Sequence, residues 1–134
     1  MTPKLRDKFV TDSIAYWRDQ LRIHPDLKIK LKYVTHRDED EGRNYATVTR
    51  EMMPYGSCIM EIFDEVFASK NFEKDADSTV CHEIIHLAMY PLISYCNNVL
   101  AGNEGGQKHL EELEEAFITS LERCLVGLAG RTED

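Results

Sequence analysis

Residues 78–92, STVCHEIIHLAMYPL, place two histidines and a glutamate within an otherwise apolar stretch. His82, Glu83 and His86 form the pattern H-E-x-x-H. Residues four apart share one face of a helix, so a helix here would direct both imidazoles at a single point. Polar groups are costly to bury without partners. The pattern therefore predicts a helix whose two histidine rings share a metal ion.

The glutamate inside this pattern indicates chemistry as well as binding. Zinc accepts imidazole nitrogens in tetrahedral geometry and lowers the pKa of a bound water toward about 7. Glu83 directly follows the first histidine, where it does not easily reach the ion but can reach a water on it. We predict that His82 and His86 are Zn2+ ligands and that Glu83 is the general base.

The rest of the chain predicts one domain over residues 1–134. Apolar periodicity first indicates a helix over residues 9–22. Three strands are expected next, over 27–34, 45–53 and 58–63. Two helices follow, over 78 to about 100 and over 107–126. This order predicts an α+β fold. Its parts would be an N-terminal helix, a small and mostly antiparallel three-stranded sheet, an active-site helix and a C-terminal helix.

Several residues predict where these elements begin and end. Asp77 is the expected N-cap of the active-site helix, and Pro91 should kink that helix or end it near Tyr90. Gly127 is the expected C-cap of the last helix. The charged segment 35–44 is expected to be an exposed loop.

Composition narrows the partners and the compartment. The net charge of −8 argues against nucleic acid, since binding to phosphates requires an excess of basic residues. No apolar run approaches the roughly 20 residues that cross a bilayer, so no membrane partner is expected. The first residues contain no apolar signal region, which predicts a cytoplasmic protein. The four cysteines form no C-x-x-C pair and are expected to be reduced.

A catalytic zinc usually has three protein ligands, so one more is required. A metzincin-type third histidine would need Gly at 89 and His at 92, where this chain has Met89 and Leu92. Cys58, in YGSCIME, is one alternative, because peptide deformylases pair an upstream cysteine with H-E-x-x-H. Only Gly56 and Cys58 match the deformylase context around the cysteine. The separation of 24 residues between Cys58 and His82 is also short for that arrangement.

The last helix supplies other candidates. Its glutamates are Glu111, Glu112, Glu114, Glu115 and Glu122. On a helical wheel the apolar residues form an arc that comprises Leu110, Phe117, Leu121, Cys124 and Leu125. Glu114 falls inside this arc, and a carboxylate directed into a core needs a partner such as zinc. Glu114 is thus the predicted third ligand, with Glu111, Glu115 and Cys58 as alternatives.

The segments CHEIIHLAMYPL and EEAFITSLERCL resemble the gluzincin type of zincin metallopeptidase, in particular small single-domain and phage-encoded forms. The resemblance covers roughly residues 78–126. It implies a zinc site at His82, His86 and Glu114, with Glu83 as the general base. It also implies that an edge strand, YATVTREMM or CIMEIF, flanks the cleft and holds an extended peptide.

The expected function is a zinc-dependent metallopeptidase that hydrolyses peptide bonds with a zinc-activated water, on a peptide or protein substrate. Tyr90, Tyr95 and His109 are available to stabilise the transition state. One alternative is a non-catalytic metal-binding or interaction protein with a zincin fold, and another is a deformylase-like metallohydrolase. The sequence indicates neither the cleavage specificity nor the oligomeric state.

Overall fold

The computed structural model describes residues 2–35, 45–50 and 52–130. Three helices and three strands make up its main elements: α1 (Pro3–Gln20), β1 (Lys28–Val34), β2 (Ala46–Thr49), β3 (Ser57–Phe63), α2 (Phe72–Val99) and α3 (Glu104–Leu128). Short 3-10 helices lie at Met53–Tyr55 and Asp64–Ala68. The α+β class predicted from the sequence is confirmed. The predicted loop at 35–44 lies outside the described residues, except for Thr35.

The sheet has the strand order β1-β3-β2, with β3 in the centre. β1 runs parallel to β3, and β2 runs antiparallel to it. The expectation of a mostly antiparallel sheet was wrong, and the sheet is mixed. β1 and β2 are consecutive in the chain but do not pair, and β2 lies within the connection between the parallel strands β1 and β3. β2 is therefore an edge strand, and the strand CIMEIF is not.

α1 begins earlier than the pattern over 9–22 predicted. The Thr2 hydroxyl accepts a hydrogen bond from the Leu5 amide at 3.2 Å, and Pro3 occupies the first turn. Both features start helices, because the cap satisfies a free amide and proline has none to satisfy. Val10, Ile14 and Trp17 are buried, and they lie within the range whose apolar periodicity predicted this helix.

α2 also differs from its predicted bounds. It begins at Phe72, so Asp77 lies inside the helix and the expectation that it is the N-cap was wrong. The Asp77 carboxylate is buried and accepts hydrogen bonds from the Ser13 hydroxyl at 2.6 Å and the Trp17 indole at 3.1 Å. The helix continues through Pro91 to Val99, which agrees with the predicted end at about residue 100, and Pro91 does not end it near Tyr90.

α3 ends at Leu128 with Ala129 as its C-cap, so the expectation that Gly127 is the C-cap was wrong. Its buried face also differs from the predicted apolar arc. Phe117 is 54% exposed, whereas Ile118 and Val126 are buried. Packing against α2 therefore selects a rotation of α3 about its axis that leaves part of the apolar arc in solvent.

The core lies between the sheet and the helices. Its fully buried side chains include Val10 and Trp17 of α1, Met60 and Ile62 of β3, and Ile84 and Ile85 of α2. α2 contacts α1 on one side and α3 on another, and it also contacts β2. The helix that carries H-E-x-x-H is thus the central helix, and the edge strand lies beside it. Among the described residues, no helix combines the length and apolarity that crossing a membrane requires.

Candidate metal centre

α2 brings together the three residues of the sequence pattern. One potential ligand atom from each of His82, Glu83 and His86 lies within 4.8 Å of the others. The two imidazole rings have centroids 5.1 Å apart. This is the proximity that the i, i+4 spacing predicted, and the group could hold a metal ion.

Each histidine has its Nδ1 atom against a different carboxylate of α3. Nδ1 of His82 lies 3.1 Å from Oε1 of Glu122, and Nδ1 of His86 lies 2.7 Å from Oε2 of Glu114. The Glu114 side chain is 5% exposed and the Glu122 side chain is 19% exposed. A carboxylate at Nδ1 assigns the ring proton to that nitrogen and fixes the orientation of the ring.

The two Nε2 atoms share a single partner, Glu115. Its Oε1 atom lies 2.7 Å from Nε2 of His86, and its Oε2 atom lies 3.3 Å from Nε2 of His82. Because Nδ1 of each ring already faces a carboxylate, a neutral ring would present an unprotonated Nε2 to the carboxylate of Glu115. Two acceptors in contact repel each other, so this arrangement requires a positive charge between them, as a proton or a metal cation.

The balance of charges leads to the same requirement. Three carboxylates contact the two rings, those of Glu114, Glu115 and Glu122, and one guanidinium accompanies them. Imidazole nitrogens with a carboxylate oxygen are a donor set that zinc accepts. The residues present therefore fit a divalent cation at the Nε2 side of the rings.

Glu83 is more buried than Glu115, the other carboxylate that lines the cavity beside these rings. It is 7% exposed, and burial raises the pKa of its carboxyl group to about 8. The charge of His82 opposes this shift and that of Glu115 adds to it. A carboxyl group with a pKa near neutrality can both accept and return a proton at the pH of a cell. A cation at the two Nε2 atoms would lower this pKa by attraction.

The pKa of His82 reflects two opposed effects. Burial lowers it, but the hydrogen bond to Glu122 and the charges of Glu83, Glu115 and Glu122 outweigh burial, so that the pKa is raised. Without a metal ion the ring therefore binds a proton more readily than free imidazole does. A metal ion at this site would compete with that proton.

A cavity of about 250 Å3 opens beside these groups. β2 and the residue after it form one wall, and His82, Glu83, His86 and Glu115 form the other. A second cavity of about 220 Å3 shares Ala46, His82 and Glu83 with the first, so the two adjoin along β2. A further cavity, of about 400 Å3, lies away from the histidines, between the end of α1 and Pro91.

Arg50, which directly follows β2, contributes the guanidinium. Its Nη1 atom lies 2.8 Å from Oε2 of Glu114 and its Nη2 atom 3.4 Å from Oε1. Nη1 also donates to the backbone carbonyl of His86 at 3.0 Å. The guanidinium lies over the Tyr90 ring, 5.6 Å from its centroid. Arg50 therefore joins the edge strand to both helices of the site.

The structure separates the candidates for the third ligand. Glu114 is buried, as its place on the wheel indicated, and its carboxylate faces Nδ1 of His86; its assignment as a ligand stays a prediction. Glu115 is the glutamate that lies at both Nε2 atoms. Glu111 is exposed. Cys58 is buried in β3 and lines neither cavity beside the histidines.

Sequence reasoning missed two contributors. Glu122 follows Glu115 by seven residues, two helical turns, and this spacing was a usable signal for a second glutamate on the same face. No comparable signal existed for Arg50, because its contacts join residues 36 and 64 positions apart. Tyr90, Tyr95 and His109 do not line the cavity at the histidines, whereas Arg50 does.

The chain matches no protein-family model, no curated protein and no solved structure. The H-E-x-x-H pattern and the geometry of the side chains around it therefore indicate what this chain does.

Proposed function

We propose that this protein is a zinc-dependent peptidase. The observation that carries the proposal is that both Nε2 atoms of the H-E-x-x-H histidines face one carboxylate, Glu115, while their Nδ1 atoms each have a separate carboxylate. Rings whose Nδ1 atoms are held in this way would direct their Nε2 atoms at a metal ion beside Glu115. Glu83, whose pKa is raised, lines the same cavity as these residues.

Each residue has a distinct role in this proposal. His82 and His86 would hold the zinc ion through Nε2, and Glu115 would be the third ligand. Glu122 and Glu114 would orient the two rings from Nδ1, as hydrogen-bonded carboxylates commonly do for metal-bound histidines. This assignment gives Glu114 the role of orienting His86 and adopts Glu115 from the alternatives for the third ligand.

When bound, zinc supplies Lewis-acid chemistry, which polarises a carbonyl group and makes water acidic near neutral pH. Glu83 would take a proton from a water molecule in the cavity and later deliver it to the leaving amine. A cation at the two Nε2 atoms would lower its raised pKa, so that Glu83 is present as the carboxylate that can accept this proton. Its burial keeps bulk water from competing for that proton.

β2 is the proposed place for the substrate backbone. It is an edge strand, and Ala46, Thr47 and Val48 line the cavity opposite the histidines. An extended peptide could pair by strand addition with the outer edge of β2, where no other strand of the described residues pairs. Its carbonyl groups would then lie in the cavity that Glu83 also lines.

The alternative is a non-catalytic protein in which protonated histidines and carboxylates form a structural ion network. The observation that favours it is that all four ring nitrogens lie within 3.3 Å of a carboxylate oxygen. Protonated rings would satisfy these contacts without any metal ion. Metal binding therefore separates the two functions.

The test is zinc content and hydrolysis of a mixed peptide library by the purified chain, beside Glu83→Gln and His86→Ala. We expect about one zinc per wild-type chain, retained in Glu83→Gln and lost in His86→Ala. Peptide hydrolysis should fall about 10²–10⁴-fold in Glu83→Gln, the usual contribution of a general base. A wild-type chain that takes up no added zinc would contradict the peptidase function and favour the ion network.

A further inference from the structure

Arg50 makes the contacts that join β2 to the histidine side of the helix pair. Its side chain is 22% exposed, and it meets Glu114, which is 5% exposed, through two nitrogen–oxygen contacts. This paired arrangement is the strong geometry for guanidinium with carboxylate. Burial of a carboxylate without a compensating charge costs free energy, so the guanidinium of Arg50 stabilises the buried carboxylate of Glu114.

The same oxygen of Glu114 serves both Arg50 and His86. Oε2 lies 2.8 Å from Nη1 of Arg50 and 2.7 Å from Nδ1 of His86. The guanidinium thereby fixes where this oxygen lies, and the oxygen fixes the His86 ring. A carboxylate free to rotate would hold Nδ1 less firmly, and Nε2 would lose its fixed direction.

Arg50 also holds the backbone at the same histidine. Its Nη1 atom donates to the carbonyl of His86 at 3.0 Å. One side chain thus restrains both the main chain of His86 and the carboxylate behind its ring. His82 has no equivalent, since no guanidinium of the described residues pairs with its Nδ1 carboxylate, Glu122.

We infer that Arg50 is a positioning residue for metal binding, which acts through Glu114 to direct Nε2 of His86 at the ion. This inference rests on the proposed zinc site. It concerns affinity for the metal and does not require that Arg50 touch the ion or the substrate. It also requires that the effect of Arg50 depend on the Glu114 carboxylate.

The test is a double-mutant cycle on zinc affinity, measured by competition with a chromophoric chelator. The variants are Arg50→Gln, Glu114→Gln and the double variant, with Arg123→Gln as control, since Arg123 is an exposed arginine of α3. We expect each single variant to bind zinc about 10–100-fold more weakly, the usual cost of removing a group behind a ligand. The double variant should bind no more weakly than Glu114→Gln, and the control should match the wild type.

Two outcomes would overturn the inference. One is an Arg50→Gln variant with wild-type zinc affinity. The other is a double variant whose fold-loss of zinc affinity equals the product of the losses in the two single variants. Multiplied losses would mean that Arg50 acts only on the His86 carbonyl or on the fold. If Arg50→Gln does not fold, judged by circular dichroism, Arg50→Lys replaces it, because lysine keeps the charge but cannot form the paired contact.

The same measurements distinguish this inference from the proposed function. If the wild type binds no zinc, the proposed function fails, and the inference fails with it. If the wild type binds zinc and Arg50→Gln binds it equally well, the inference alone fails. If the wild type binds zinc and Arg50→Gln binds it more weakly as expected, but no peptide is hydrolysed, the inference holds and the proposed peptidase activity fails.

Discussion

Oε1 of Glu115 lies 2.7 Å from Nε2 of His86, although the Glu115 side chain is 58% exposed. The buried glutamate of the preceding position, Glu114, meets Nδ1 of the same ring. Two consecutive residues of α3 therefore approach one imidazole from its two nitrogens. This relationship divides the roles of ligand and orienting group between them, and it leads to the first prediction.

Removal of the Glu115 carboxylate should weaken zinc binding more than removal of the Glu114 carboxylate. We expect Glu114→Gln to cost about 10–100-fold in affinity, and Glu115→Gln to cost more, because loss of a ligand exceeds loss of the group behind one. Chelator competition would measure both. Glu112→Gln, an exposed glutamate of the same helix, is the matched control. The reverse order of the two losses would restore Glu114 as the third ligand.

Zinc should raise the thermal stability of the chain. A ligand that binds only the folded state stabilises it by about 2.7 kcal/mol at 100 times its Kd. The melting temperature should therefore rise with added zinc and fall again with excess chelator. His86→Ala should melt at a temperature that added zinc does not change. A wild-type melting temperature that is indifferent to zinc would contradict the metal centre.

Asp77 should contribute to stability independently of the metal. Its buried carboxylate accepts hydrogen bonds from Ser13 and Trp17 and so ties α1 to α2. Asp77→Ala leaves these donors without that acceptor, and we expect a loss of roughly 1–3 kcal/mol in the free energy of unfolding. Urea unfolding of the metal-free protein would measure this loss.

The matched control for Asp77 is Asp12, whose carboxylate pairs with Lys8 on the surface. Asp12→Ala should cost less than about 0.5 kcal/mol, because exposed pairs four residues apart contribute little. Equal losses in the two variants would mean that the contacts of Asp77 add no more than an exposed pair.

Cys58 should be inert toward thiol reagents while the chain is folded. Burial raises the pKa of its thiol to about 11, although the charge of Arg18 lowers it. An alkylating reagent at pH 8 should therefore modify the exposed Cys124 and spare Cys58 until urea unfolds the protein. Peptide mapping would locate the label, and Cys124→Ser is the control. Prompt modification of Cys58 in the native protein would refute its burial.

The same shift predicts the pH dependence of stability in alkaline solution. The pKa of an unfolded cysteine is about 8.5, below that of Cys58 in the folded state. The folded state then holds the proton at a pH where the unfolded state has lost it. The contribution of the Cys58 thiol to the free energy of unfolding is complete below about pH 8.5 and is lost as the pH rises toward 11. Cys58→Ala should show a smaller decline in unfolding free energy over this range.

The sequence by itself determined what depends on local periodicity. Spacing of four residues places His82 and His86 on one face of any helix that contains them, and the structure brings them together. The alternation in 27–34 likewise predicted β1. Such features require only the geometry of one element, which neighbouring residues specify. Helix ends were less predictable, because Asp77 found its partners in α1 and did not cap α2.

Only the tertiary structure decided how the elements meet. The rotation of α3 against α2 buried Ile118, exposed Phe117 and set Glu115 at the two Nε2 atoms. The parallel pairing of β1 with β3 made β2 an edge strand, which brought Arg50 to Glu114 across 64 residues of chain. These relationships depend on packing between distant segments. A helical wheel shows on which face of a helix a residue lies. It does not show where the carboxylate of a glutamate lies relative to a neighbouring helix.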